Sequence, residues 1–263
     1  MCAIYAVLAA PLARPLRVPV LLWFAHWNRT RLLRVAARES TRLLSVDRRS
    51  FPVETPKLVP IGHGIDFSTL PCRKGESVSE TQSPLRAVVL GRTSPAKGIE
   101  TILRAVALVP ESRVDVYGTS NSPEEERHRA ELGRLIEELG IEERAALRSP
   151  VPRDRISDVH ADADVLVNNM KPGAPDKAVY EACGSCLPVL VSNPSFDELF
   201  EGIDVQLRFE RESPEDLAGR LRELAALPAE ERAAIGRTLR ERVLERHSVE
   251  SWADRVVTLV GAS

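Results

Sequence analysis

Between residues 88 and 98 the chain reads Val88-Val89-Leu90-Gly91-Arg92-Thr93-Ser94-Pro95-Ala96-Lys97-Gly98, so an apolar run ends in glycine and two cations follow. That order suits a diphosphate. The apolar run has the pattern of a strand buried on both faces, and Gly98–Val106 reads as the next helix, its N-terminal amides open to an anion. Arg92 would bring a fork of donors, Lys97 a mobile point charge, and the helix end a partial positive charge. The same residues also suit an ordinary strand-to-helix turn with two solvated cations, so the rest of the chain has to separate the two readings.

Glu181 is the next residue with chemistry to offer. It lies in Val179-Tyr180-Glu181-Ala182-Cys183, where its neighbours are apolar or small. A carboxylate in such a setting can accept two hydrogen bonds from a vicinal diol, although a solvent-facing helix charge has the same spelling. Asp162-Ala163-Asp164 spells Asp-x-Asp but leads directly into an apolar strand, so both carboxylates read as ends of elements and not as metal ligands. The four cysteines, Cys2, Cys72, Cys183 and Cys186, lack zinc-like clustering. Cys183-Gly184-Ser185-Cys186 reads as small buried positions, with a redox pair as the alternative.

These residues need a scaffold, and 263 residues with 43% hydrophobic content can build one large or two modest cores. The formal net charge of -2 gives no bulk attraction to nucleic acid. The N-terminal stretch lacks the basic region of a signal peptide, and no run approaches the ~20 apolar residues of a membrane span, which together predict a cytoplasmic protein.

Strand-like and helix-like segments alternate from Leu85 onward, the pattern of a parallel sheet covered by helices, so the class is α/β. Strands are expected near 86–91, 113–117, 146–151, 165–168, 188–191 and 205–209, a nearly complete doubly wound domain. Residues 73–84 are polar and aperiodic and read as a linker. Residues 1–72 offer a strand over 17–25, an arginine-rich helix over 30–41, and short strands at 43–46 and 57–61. So few strands would be marginal alone, and they read as the end of a larger domain. Residues 223–247 read as exposed helices laced by charge pairs, and 249–261 as a terminal helix with Trp252 and Val256 in its core.

Several segments in order resemble the nucleotide-sugar glycosyltransferases of the GT-B fold, family 4, over residues 17 to 260. Leu58-Val59-Pro60-Ile61-Gly62-His63-Gly64-Ile65-Asp66 is similar to the family's interdomain strand and turn, and Gly91-Arg92 through Lys97-Gly98 to its donor-phosphate motif. Asp162–Val167 and Tyr180–Leu190 are similar to the strand and glutamate-bearing helix that close around the nucleotide. The resemblance implies a Rossmann-like donor domain over 85–235, helices over 236–263 packing back on the first domain, and in 1–72 the C-terminal portion of a second Rossmann-like domain whose N-terminal part is lacking.

It also implies roles. Gly91, Arg92 and Lys97 would meet the donor diphosphate, with Arg92 and Lys97 stabilising the leaving group, and Glu181 would bind the ribose. His63 and Gly64 would form a turn near the pyrophosphate. His26, after the apolar strand, would orient the transferred sugar through a neutral imidazole, while packing as a polar-tipped aromatic beside Trp23 and Trp27 is its alternative. The family's first glutamate falls at Gly173, so the backbone of Pro172-Gly173-Ala174 and the side chains of Asp176 and Lys177 are the candidates to replace it. Asp176 could equally be a helix cap.

The expected activity is transfer of a sugar from a nucleotide-diphosphate sugar to a glycan, lipid or small-molecule acceptor, with retention, without a metal or other cofactor. The alternative is a catalytically incomplete nucleotide-binding remnant, or a subunit of a split transferase. A GT-B sugar-nucleotide epimerase fits the Arg92–Lys97 and Glu181 pattern less well. The arginines of residues 29–38 lie on one side of a helix, which suits either solvent or peripheral contact with the inner face of an anionic membrane.

Overall fold

The computed structural model describes residues 3–26, 28–72 and 84–261, which leaves Trp27 and nearly all of the expected linker outside the described residues. Two compact units emerge. The first comprises Met1–Asp66, Gly173–Pro175 and Leu244–Ser263; the second comprises Phe67–Pro172 and Asp176–Val243.

The first unit begins with helix α1 (Ile4–Ala13), then strand β1 (Leu21–Trp23), helix α2 (Arg31–Glu39), β2 (Arg42–Ser45) and β3 (Leu58–Pro60). The strand expected over 17–25 shrinks to three residues because Arg17 adopts a left-handed φ of 54° and closes a turn on Arg14. The sheet is parallel, in the order β1-β2-β3. Thr30 caps α2 by accepting from the Leu33 amide at 3.0 Å. The inward face of α2, Leu33, Ala36 and Ala37, packs with Leu22, Leu43 and Phe51, while Arg31, Arg34 and Arg38 border a recess of about 240 Å³ on the outward side. Lys57 donates to the carbonyls of Arg38 and Ser40 at 2.6 and 2.8 Å, placing a cation where the helix dipole is negative.

The second unit is a five-stranded sheet of β4 (Leu85–Leu90), β5 (Ser112–Tyr117), β6 (Ala145–Arg148), β7 (Val165–Asn168) and β8 (Val189–Val191). All neighbours pair in parallel, in the order β6-β5-β4-β7-β8. Helices α3 (Ile99–Ala107), α4 (Pro123–Leu139), α5 (Ile156–Asp162) and α6 (Lys177–Gly184) make the connections, α7 (Pro214–Ala226) follows β8, and α8 (Ala229–His247) leads out of the unit. β7 and β8 are buried throughout and β4 at every residue but Arg86, as their largely apolar runs require. The chain builds outward from β4 to β6, then returns to β7 on the other side. That reversal opens a crevice at the carboxyl ends of β4 and β7, where doubly wound sheets receive ligands.

Three local expectations change. β6 stops at Arg148 because Pro150 and Pro152 cannot donate to a ladder. Residues 205–209 make only a bridge between Val191 and Arg208, since β8 offers three residues to pair with. Cys186, read with Cys183 as a small buried position, instead forms a disulfide with Cys72, their Cα atoms 4.9 Å apart, whereas Cys183 is buried and free.

The final helix, α9 (Val249–Gly261), belongs to the first unit. The Ile65 amide donates to the His247 carbonyl at 2.7 Å and the Val249 amide to the Ile65 carbonyl at 2.9 Å, tying the helix start to the end of the first unit's sheet region. Trp252 meets Trp23 edge-on at 6.0 Å, but neither it nor Val256 is fully buried, because α9 lies on the surface of that unit and not within its core. Among the described residues, no helix is long and apolar enough to cross a membrane.

Candidate functional site

The carboxyl ends of β4 and β7 hold the polar side chains of the second unit that have chemistry to offer. Gly91 follows β4 with φ of 128°, and a Cβ there would sit 2.8 Å from the Lys97 Nζ. Glycine thus lets Lys97 fold back over the strand end, where its ammonium also reaches the Leu90 carbonyl at 3.5 Å. Lys97 closes the short turn Pro95–Lys97, and Gly98 starts α3 in the left-handed conformation without a side-chain cap. Asn169, just past β7, donates to the Gly98 carbonyl at 2.9 Å and locks that turn from the far side of the crevice.

Lys97 forms an ion pair with Asp176. Asp176 caps α6 by accepting from the Ala178 amide at 3.2 Å, and its second oxygen also takes the Asn168 side-chain amide at 2.9 Å. Burial acts to raise its pKa, but Lys97 and these hydrogen bonds win and hold it below the usual carboxylate value. Asp176 therefore is both the helix cap and the partner of Lys97.

Arg92 is exposed and donates from Nη1 to Oε1 of Glu125 at 3.1 Å. Glu181 is buried, and its Oε1 meets Lys177 at 3.1 Å, one helical turn away, and Arg153 at 3.3 Å. Arg153 opens the turn between β6 and α5. On the same side of the sheet, Gly118, Ser120, Arg129, Leu147, Ser149 and Pro150 line an open recess of about 760 Å³. Asp164 accepts from the Arg86 amide at 2.9 Å and its guanidinium at 3.2 Å, the contacts of a strand-start carboxylate.

The remaining candidates belong to the first unit. His26 accepts from the Asn28 amide at Nδ1 (3.1 Å) and meets Phe24 edge-on. His63 lies 6.1 Å from the ring of His247, between two glycines of positive φ. A Cβ on Gly62 would reach 2.0 Å from the Arg246 carbonyl, and one on Gly64 3.0 Å from Trp252, so this turn needs both glycines. Gly173 has φ of 145° in the short segment counted with the first unit.

Asn168, Arg153 and Glu125 were not singled out in the sequence. Asn168-Asn169 does carry a signal, a polar pair ending a wholly buried strand. Arg153 and Glu125 carry none, because one sits in a run of alternating charge and the other within Glu124-Glu125-Glu126 at a helix start.

The whole architecture has counterparts among solved structures. The Anabaena protein HepE in complex with UDP and glucose superposes with a TM-score of 0.82 at 17% identity, covering 100% of this chain and 76% of that one. Sucrose-phosphate synthase from Thermosynechococcus elongatus gives 0.78 at 16% identity, covering 96% and 71%. A glycosyltransferase from Rickettsia africae gives 0.74 at 12% identity, covering 97% and 79%. No curated protein matches the sequence. Likeness at such identities speaks for a GT-B fold, and the sequence itself supplies the rest: residues 76–242, nearly the entire second unit with its Arg92, Lys97 and Glu181, match the model of the glycosyl transferases group 1, and the chain belongs to that family.

Proposed function

We propose that the chain, a group 1 glycosyl transferase, takes its sugar from a nucleoside diphosphate donor bound at the carboxyl ends of β4 and β7. The observation that carries this is the pair of cations at those ends, Arg92 exposed at the strand tip and Lys97 held over it by Asp176 and Gly91. As the bond to the sugar C1 breaks, the leaving diphosphate gathers negative charge. Cations already in place stabilise it without reorganising at the moment of reaction. Arg92 and Lys97, with the amides that open α3, meet this need without a divalent cation, and no other cofactor enters the scheme.

Glu181 takes the ribose diol, and the recess beside Tyr117-Gly118 and Pro150-Val151 takes the base. HepE, of the same fold, is seen with UDP, which favours uracil as the first base to test. Asp176 and Lys177, with the Gly173 loop, serve the sugar side in place of the family's first glutamate. His26, as a contact of the transferred sugar, and His63 with Gly64, as contacts of the pyrophosphate, are kept on the family 4 resemblance alone. So are retention by front-face attack, a longer acceptor domain of which the first unit is a portion, and a cytoplasmic site of action with the arginines of α2 toward an anionic membrane surface.

A second reading, a nucleotide-binding subunit completed by another polypeptide, draws on α1, which leaves Tyr5, Leu8 and Leu12 exposed on one stripe. Calorimetric titration of UDP, GDP and ADP into the chain and its Arg92→Ala/Lys97→Ala variant tests the donor site. Micromolar binding of one nucleotide, lost in the variant, is the expected result. No binding by the folded chain overturns the assignment.

A further inference from the structure

Arg92 stands in a segment that is pinned on both sides. The Gly91 amide donates to the Tyr117 carbonyl and the Thr93 amide to the Thr119 carbonyl, each at 3.0 Å, and the Thr93 and Ser120 hydroxyls meet at 2.7 Å. Residues 91–93 and 117–121 are so close that a Cβ on Gly118 would fall 1.9 Å from the Gly91 carbonyl oxygen. The backbone under Arg92 is therefore fixed, and only its long side chain is left to settle.

Glu125 settles it. This carboxylate is buried, in the first turn of α4, and its two oxygens are divided between different tasks. Oε2 accepts from the Asn121 amide at 2.7 Å, which anchors the group to its own loop; Oε1 faces Arg92 at 3.1 Å. The amide of Glu125 is itself taken by the capping hydroxyl of Ser122 at 3.2 Å. Held by the Asn121 amide and seated at a helix N-terminus, where a carboxylate complements the partial positive charge, Glu125 is a rigid post. Pairing uses one of the five guanidinium donors and leaves the others for phosphate oxygens.

We propose that Glu125 is the positioning residue for Arg92: it selects the side-chain direction in which the guanidinium meets the donor diphosphate. The inference rests on the donor-site reading above. An arginine gripping a phosphate from a free start loses rotamer entropy on binding; one already held by Glu125 has lost it on folding. Glu125 touches no substrate atom in this scheme and acts only through Arg92.

A double-mutant cycle read by UDP calorimetry tests it, with Glu125→Ala, Arg92→Ala and the double variant, and thermal melts to show that each is folded. Glu125→Ala is expected to weaken UDP binding about fivefold, the size of one net hydrogen bond, and to have less than a twofold effect once Arg92 is alanine. Uridine, which has no phosphate, should bind all variants alike. Glu125→Gln keeps an acceptor for Asn121 and drops the charge; it should fall between wild type and Glu125→Ala, and it carries the test if alanine does not fold. An equal loss with and without Arg92 overturns the proposal in favour of a structural role. Tighter binding in Glu125→Ala overturns it too, since Glu125 would then compete with the ligand. Loss of UDP binding in Arg92→Ala but not in Glu125→Ala sinks this inference alone, whereas absence of UDP binding in the wild type sinks the donor site with it.

Discussion

Lys97 and Asp176, 79 positions apart, form an ion pair in which the carboxylate also caps α6 and accepts from Asn168. Asp176 thereby links the turn after β4 to the end of β7 through its partners and the start of the helix that carries Glu181. A diphosphate arriving at this place meets a cation already oriented. The cost is that ligand and Asp176 must share it.

Breaking that pair should be felt in stability. Both side chains are mostly buried, with 13% and 18% exposure, so Asp176→Ala strands an ammonium in a poorly hydrated place. We expect a loss of about 2–3 kcal/mol, below the 3–5 typical of a fully buried pair. Replacing both partners, Lys97→Met with Asp176→Leu, should recover most of it, while UDP binding is lost with the Lys97 ammonium. Urea midpoints at constant m-value give the first quantity and calorimetry the second.

Gly118→Ala should cost at least about 2 kcal/mol, because the new methyl would meet the Gly91 backbone at 1.9 Å and the two segments cannot both stay where they are. Gly133→Ala, where nothing lies within 4 Å, should instead stabilise α4 by up to about 1 kcal/mol. Thermal unfolding of the two variants side by side checks both signs.

The acid side of the stability profile follows from two buried histidines. Burial pushes His160 down to about 4, and burial with the charges of His63, Arg246 and Arg255 pushes His247 down to about 3. Unfolded histidine titrates near 6.5, so the unfolded chain takes up protons first. Stability is full above about pH 6.5 and falls as pH drops toward 4, by up to about tenfold in the folding ratio per pH unit for each residue. His160→Gln, which can still reach the Ser185 hydroxyl now 2.8 Å away, should flatten this slope in urea midpoints measured from pH 7 to 4.5. An unchanged slope would assign the effect to other groups.

Glu181→Gln separates ribose from phosphate. If the carboxylate takes the diol, UDP binding should weaken about tenfold, as for a lost hydrogen bond to a charged group, while inorganic pyrophosphate binds as before. Equal losses for both ligands would place Glu181 among the phosphate contacts through Lys177 and Arg153, which it now holds at 3.1 and 3.3 Å.

Much of this was legible in the residues themselves. The apolar run before Gly91 and those at Val165–Val167 and Val189–Val191 could only be buried strands, because side chains apolar on both faces have nowhere else to go. Thr30 opened an expected helix and Asp176 a possible cap, both of which the structure forms by local hydrogen bonding, and Arg92, Lys97 and Glu181 stood out against their neighbours. Segments held by weaker local signals drifted: the strand over 17–25 contracted beside Arg17, and 205–209 became a bridge. What the tertiary structure decided was partnership. That Lys97 belongs to Asp176, Arg92 to Glu125 and Arg153 to Glu181 depends on the strand order β6-β5-β4-β7-β8, which brings distant segments to the same end of one sheet. Periodicity reports whether a residue faces a core. It carries no record of which distant segment will lie opposite, because that choice is made by packing the whole sheet at once.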